Sequence, residues 1–233
     1  MGWDAFGWVT AGSCLGFLLR RWADAYEDKL ASGAAATAST LWAAAMAAWG
    51  RPLHRARDGT TALLLGALAA GLVGLQGTAL VPLALGLAAL AWLDVRTGLL
   101  PDALTLPLMG AGWVLGLQDI GAAVGASGLI WMLLAALAWC YRRLRGHDGF
   151  GGGDVKCLAA VAGWVGLDAA AAILWLACVL GVVACVCRSG AWQRPYAFGP
   201  CIAAAAWCWM LMLHSQGSPL IGFSHILAVQ SWF

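Results

Sequence analysis

"LALGLAALAWLDVRTGLLPDALTLP", Leu83 to Pro107, decides the fold. Its first half, Leu83 to Leu93, is an unbroken apolar run; its second half places Asp94, Arg96, Asp102 and two prolines directly behind that run. In lipid only a helix or a closed barrel satisfies the backbone. The Leu/Ala/Gly run lacks the two-residue alternation of a barrel strand, so it reads as a helix of a membrane bundle. A cluster of carboxylates follows directly at its end.

The whole chain has the same character. Of 233 residues 62% are hydrophobic and 10% charged, with 15 Trp and a mean hydropathy of +0.81, far from soluble averages. A span needs about 20 mostly apolar residues to cross about 30 Å of hydrocarbon. Such stretches occur at 6–22, 61–76, 79–95, 103–118, 121–141, 169–187 and 197–213. An eighth, 156–167, gives only about 18 Å at 1.5 Å per residue and reads as a thin span or half of a re-entrant hairpin. The fold class is therefore all-α, a polytopic membrane helical bundle of about eight segments. The stretch 34–50 is built from Ala, Ser and Thr, whose insertion is weak beside Leu-rich runs, so it reads as an interfacial or soluble helix. This divides the chain into residues 1–60, an anchor helix with a short loop, and 61–233, a membrane-embedded core.

Positive charge favours the cytoplasmic side. If the first span ends inside at Arg20–Arg21 and 34–50 does not cross, strict alternation places all 13 Lys and Arg on one face. The net charge of +2 then reflects sidedness and gives no reason to invoke nucleic acid. The N-terminus lacks a basic n-region, so the first span is expected to remain as an anchor. None of the eight cysteines forms a CxxC pair, so no metal site is expected, and those in apolar runs read as small hydrophobes.

On this map Asp94, Asp102, Asp148 and Asp154 share one inner face. A carboxylate deep in a bilayer costs about 2.5–3.5 kcal/mol. Asp94 has a plain alternative reading as an interfacial charge beside Arg96, and Pro101–Asp102 as a helix start. "GHDGFGGGDVK", Gly146 to Lys156, reads either as a flexible loop capped by Asp154 or as a carboxylate held by close-packed glycines, Gly151 and Gly153 among them. It lacks the GK[ST] ending of a phosphate loop. His147 is open to reading as a general base or as a solvated loop histidine.

Two aspartates meeting in a partly dry site share one proton, so one can activate water while the other protonates a carbonyl. Asp94 and Asp154 suit that role without metal or cofactor. Two other classes compete: a transporter using carboxylates as a proton relay, although relays sit nearer mid-membrane, and a non-catalytic assembly scaffold.

"LDVRTGLLPDALTLPLMGAGWVLGL" and "GFGGGDVKCLAAVAGWVG" resemble the two motif blocks of bacterial type IV prepilin peptidases, membrane aspartyl proteases of the GxGD type. "AFGP", Ala197 to Pro200, is similar to a third block, PFGP, and "AGSCLGFLLRR" is a weaker match to the family's opening. The resemblance implies Asp94 and Asp154 as the catalytic pair, with Asp102, Gly151, Gly153 and Lys156 in positioning or motif support. It also implies prepilin or pseudopilin substrates, whose short basic leader ends in Gly and is cut at the cytoplasmic face of the inner membrane, and pilus or type II secretion machinery and membrane lipid as partners. Many members carry two CxxC pairs in the first inner loop, associated with zinc and with N-methylation from S-adenosylmethionine. Residues 23–60 contain no cysteine here, and His54 rebuilds no four-ligand site, so methyltransferase activity is not expected.

Overall fold

The computed structural model describes residues 3–33, 38–49, 64, 67, 80–146, 150–187 and 197–215. Among them every regular element is an α-helix: α1 (Trp3–Ala31), α2 (Ala38–Trp49), α3 (Val81–Thr97), α4 (Asp102–Leu115), α5 (Ile120–Arg145), α6 (Gly152–Val165), α7 (Leu167–Cys187) and α8 (Gly199–Ser215). The all-α expectation holds. The segment 61–76, apart from residues 64 and 67, lies outside the described residues, as do His54, His147 and Asp148.

Helix lengths modify the expected spans. Among the described residues α5 and α7 are long and apolar enough to cross a membrane, with mean hydropathies of 2.0 and 2.7, while α4 and Gly199–Leu213 of α8 are shorter apolar helices. A count of about eight crossings does not follow from length alone. The expected span 103–118 is cut to the 14 residues of α4, about 21 Å long, because the chain becomes extended at Gly116. The first segment overruns its expected end instead: α1 continues past Arg20–Arg21 to Ala31 as a charged helix of 29 residues.

Local chemistry sets the ends. Gly98 closes α3 with a left-handed φ of 66° and donates its N–H to the Asp94 carbonyl, a conformation glycine adopts without Cβ strain. Pro101, fixed in an extended conformation, opens α4. Asp119 caps α5 by accepting the Ala122 N–H at 3.0 Å.

The centre of the bundle is α6. From Cys157 to Val165 every residue is buried, and the Ala, Gly and Val side chains allow α4 and α5 to pack closely on it. The Trp164 indole N–H donates to the Leu108 carbonyl at 2.8 Å, fixing α6 against α4. This explains the short eighth segment: α6 is an interior helix whose length is set by its neighbours.

The N-terminal pair packs differently. Ala44 and Ala48 of α2 bury against Ala23, Ala25 and Tyr26 of α1. Arg21 donates twice to the Ala48 carbonyl, at 2.9 and 3.2 Å, satisfying an end group that α2 leaves open. Arg20 stacks over Trp92, 5.2 Å from the ring centroid, which joins α1 to α3.

Candidate active site

Asp94 sits in the last turn of α3 and is 5% exposed. Its Oδ2 accepts the backbone N–H of Gly199 at 2.7 Å, at the start of α8, where open N–H groups and the helix dipole favour a negative group. The approach depends on glycine, since a Cβ at position 199 would stand 2.8 Å from that oxygen. Arg96 turns away from Asp94. It bonds Asp24 at 2.8 Å and Glu27 at 3.0 Å, both on α1, so the reading of Asp94 as an interfacial charge beside Arg96 is not what the structure shows.

Asp154 is the third residue of α6, behind Gly151, Gly152 and Gly153. Its carboxylate folds back onto Gly151, the N-cap residue, and lies within electrostatic reach of the Gly151 N–H. This is the position of the acidic residue in a capping box, with Gly151 at the N-cap and Asp154 inside the helix. The glycine run is explained by crowding. A Cβ on Gly151 would meet Asp154 Oδ2 at 2.8 Å, and one on Gly153 would meet the Leu100 Cβ at 2.8 Å.

The two carboxylates, sixty positions apart in sequence, come close enough for their charges to act on each other. Cys157, one turn beyond Asp154, is fully enclosed and feels the charge of both. Neither carboxylate has a cation partner among the described residues; Asp94 is held by the Gly199 N–H, and Asp154 lies against Gly151. Asp102 is treated otherwise. It pairs with Lys156, Nζ lying 2.7 Å from both carboxylate oxygens, and this exposed bridge ties the start of α4 to the first turn of α6. Around the pair, the Phe150 and Phe198 rings meet edge to face at 5.8 Å.

Residues 81–186 match the type IV leader peptidase family. That segment is similar to the leader peptidase domain. Similar proteins named prepilin leader peptidase/N-methyltransferase occur in Burkholderia pseudomallei, 39% identical over 155 residues (61% of this chain, 50% of that protein), in Neisseria gonorrhoeae, 34% over 130 residues (52% and 44%), and in Dickeya chrysanthemi, 35% over 177 residues (67% and 58%). The chain spans about half the length of the curated relatives it matches. No solved structure matches it.

The matched segment contains Asp94, Asp102, Gly151, Gly153, Asp154 and Lys156, all the site residues that the sequence points to. The structure brings Asp94 toward Asp154 and Asp102 onto Lys156. Sequence reasoning missed the donor role of Gly199, although the AFGP motif marked its position, and it missed Asp24 and Glu27 as partners of Arg96. No spacing rule links α1 to α3, so no sequence signal pointed to that ion pair.

Proposed function

We propose that the chain is a membrane aspartyl endopeptidase that removes the leader peptide of type IV prepilins or pseudopilins. The observation that carries this reading is the nearness of Asp94 and Asp154, drawn from two separate motif blocks, at a place where no cation answers either of them among the described residues. Two carboxylates so placed bind one proton between them. The ionised one takes a proton from water as the water attacks the scissile carbonyl, and the protonated one donates to the carbonyl oxygen. As the tetrahedral intermediate collapses, the aspartate that took the water proton gives it to the leaving nitrogen and the other takes back the hydroxyl proton, so the C–N bond breaks, the amine of the new N-terminus leaves and the shared proton is restored. No metal and no covalent intermediate enter these steps.

Asp102, Lys156, Gly151 and Gly153 support the site by joining α4, α6 and the 98–101 turn around it. The core 61–233 carries the reaction, while 1–60 anchors it. The site faces the cytoplasm from the bacterial inner membrane, supported by the placement of all 13 Lys and Arg, and pilus or secretion machinery receives the product. The chain releases an unmethylated N-terminus, since residues 23–60 hold no cysteine.

Cleavage of a model prepilin by the purified full chain in detergent tests the reading, with mass spectrometry of the product. A fragment cut behind the leader glycine, with a free amine whether or not S-adenosylmethionine is added, is the expected result. An intact substrate, under conditions where a relative cleaves it, overturns the peptidase; a gain of one methyl group overturns the second claim. Thiol labelling of Arg96→Cys in a cysteine-depleted chain tests orientation, and labelling from the periplasm would overturn it.

A further inference from the structure

The helices that carry the two carboxylates share no extended interface among the described residues. α3 packs chiefly on α8 and α1, and α6 chiefly on α5 and α4, while α4 and α8 each also touch the other of the two helices. The spacing of Asp94 and Asp154 must therefore be set through intermediaries. Each carboxylate lies against a glycine, Asp94 accepting the Gly199 N–H and Asp154 folded onto Gly151, and each of those glycines directly follows a phenylalanine: Phe198 precedes Gly199, and Phe150 precedes Gly151. The two rings meet edge to face, with centroids 5.8 Å apart and planes at 66°, the arrangement favoured by the ring quadrupoles. Phe198 is itself seated by α7, since a Cβ on Gly181 would lie 3.2 Å from its ring.

We propose that Phe150 and Phe198 form an aromatic clamp that sets the distance between the two carboxylates, acting as positioning residues through Gly151 and Gly199. The inference rests on the peptidase reading for its consequence in catalysis, but the clamp itself is a claim about geometry. Phe150 belongs to the glycine loop and Phe198 to the start of α8, so the contact closes a path from Asp154 through Gly151, Phe150, Phe198 and Gly199 to Asp94. Loss of either ring breaks that path, and loss of the second ring then removes nothing more. Because misplacement of reacting groups by about 1 Å costs roughly a hundredfold in rate, the clamp acts on turnover and leaves substrate binding alone.

Phe150→Leu, Phe198→Leu and the double variant of the full chain, measured on a model prepilin, test the clamp. Each single variant is expected to lose roughly ten- to a hundredfold in kcat with KM unchanged, and the double variant to be no worse than either. Phe198→Tyr, which keeps the ring, restores most of kcat. Losses that multiply in the double variant, a change confined to KM, or unchanged kcat in the single variants would overturn the proposal. A second readout is independent of cleavage. Cys157, enclosed beside both carboxylates, is retained as the only cysteine and alkylated with N-ethylmaleimide. Its labelling is expected to quicken equally in both single variants and no further in the double. Equal rates in all chains, or additive acceleration, would overturn the clamp even if the wild-type chain cleaved nothing, whereas absent cleavage with the expected labelling pattern would overturn the peptidase reading alone.

Discussion

Two groups of acidic residues in this molecule are handled in opposite ways. On α1, Asp24 and Glu27 are answered by Arg96, and at the start of α4 Asp102 is answered by Lys156. In the core, Asp94 accepts the Gly199 N–H, Asp154 lies against Gly151, no cation answers either among the described residues, and the two lie near each other. The first arrangement suits structure: opposite charges at partly exposed positions join helices at modest energy. The second is poor structure, because two like charges in a crowded site oppose each other unless a proton is shared. Arginine and lysine answer Asp24, Glu27 and Asp102, whereas among the described residues no cation answers Asp94 or Asp154, the condition under which two neighbouring carboxylates share a proton.

The sharpest way to break the contrast is to remove a proton-exchanging oxygen from the core pair. Asp94→Asn and Asp154→Asn keep size and are expected to lower kcat/KM for prepilin cleavage by roughly 10²–10⁴-fold, the range of general acid–base catalysis. The double variant should be scarcely worse than either single one, since the two act as a unit. Wild-type cleavage by either single variant at matched membrane levels would dissolve the distinction between the two groups.

Next in size is the anchoring of Asp94. In Gly199→Ala the new Cβ meets Asp94 Oδ2 at 2.8 Å, and displacement of the carboxylate should cost roughly ten- to a hundredfold in kcat while the chain stays folded. Circular dichroism and kinetics on the same preparation check it. Full activity in this variant would show that the N–H contact does not position the carboxylate.

Smaller effects are expected where cations answer the acids. Arg96→Gln uncouples α1 from the end of α3 and should reduce stability by about 1 kcal/mol, the scale of a partly exposed ion pair, with cleavage within a few-fold of wild type. A thermal unfolding series in detergent measures it. A loss of activity as large as that of Asp94→Asn would place Arg96 with the core pair. The smallest change belongs to Asp102→Asn, whose bridge to Lys156 lies at 35% and 54% side-chain exposure. Stability should fall by less than about 1 kcal/mol and kcat by only a few-fold, and a double-mutant cycle with Lys156→Met should give a coupling of similar size.

The sequence by itself determined the helical class, because long Leu/Ala/Gly runs in a chain with 10% charge leave a backbone in lipid few other choices. It also marked Asp94 and Asp154, since carboxylates beside apolar runs are costly and rarely idle, and it marked the glycines that crowding around Asp154 and Leu100 requires. Only tertiary structure decided who partners whom. Nothing in the spacing of Asp94 and Arg96 shows that Arg96 turns toward α1, or that Asp94 is met by an N–H from residue 199. Those contacts depend on how α1, α3 and α8 pack, and packing is fixed by the joint fit of many side chains rather than by any local pattern. Helix length followed the same division: the apolar period announced α4 and α6, but their short lengths were set by the extended chain at Gly116 and by the enclosure of α6 between α4 and α5.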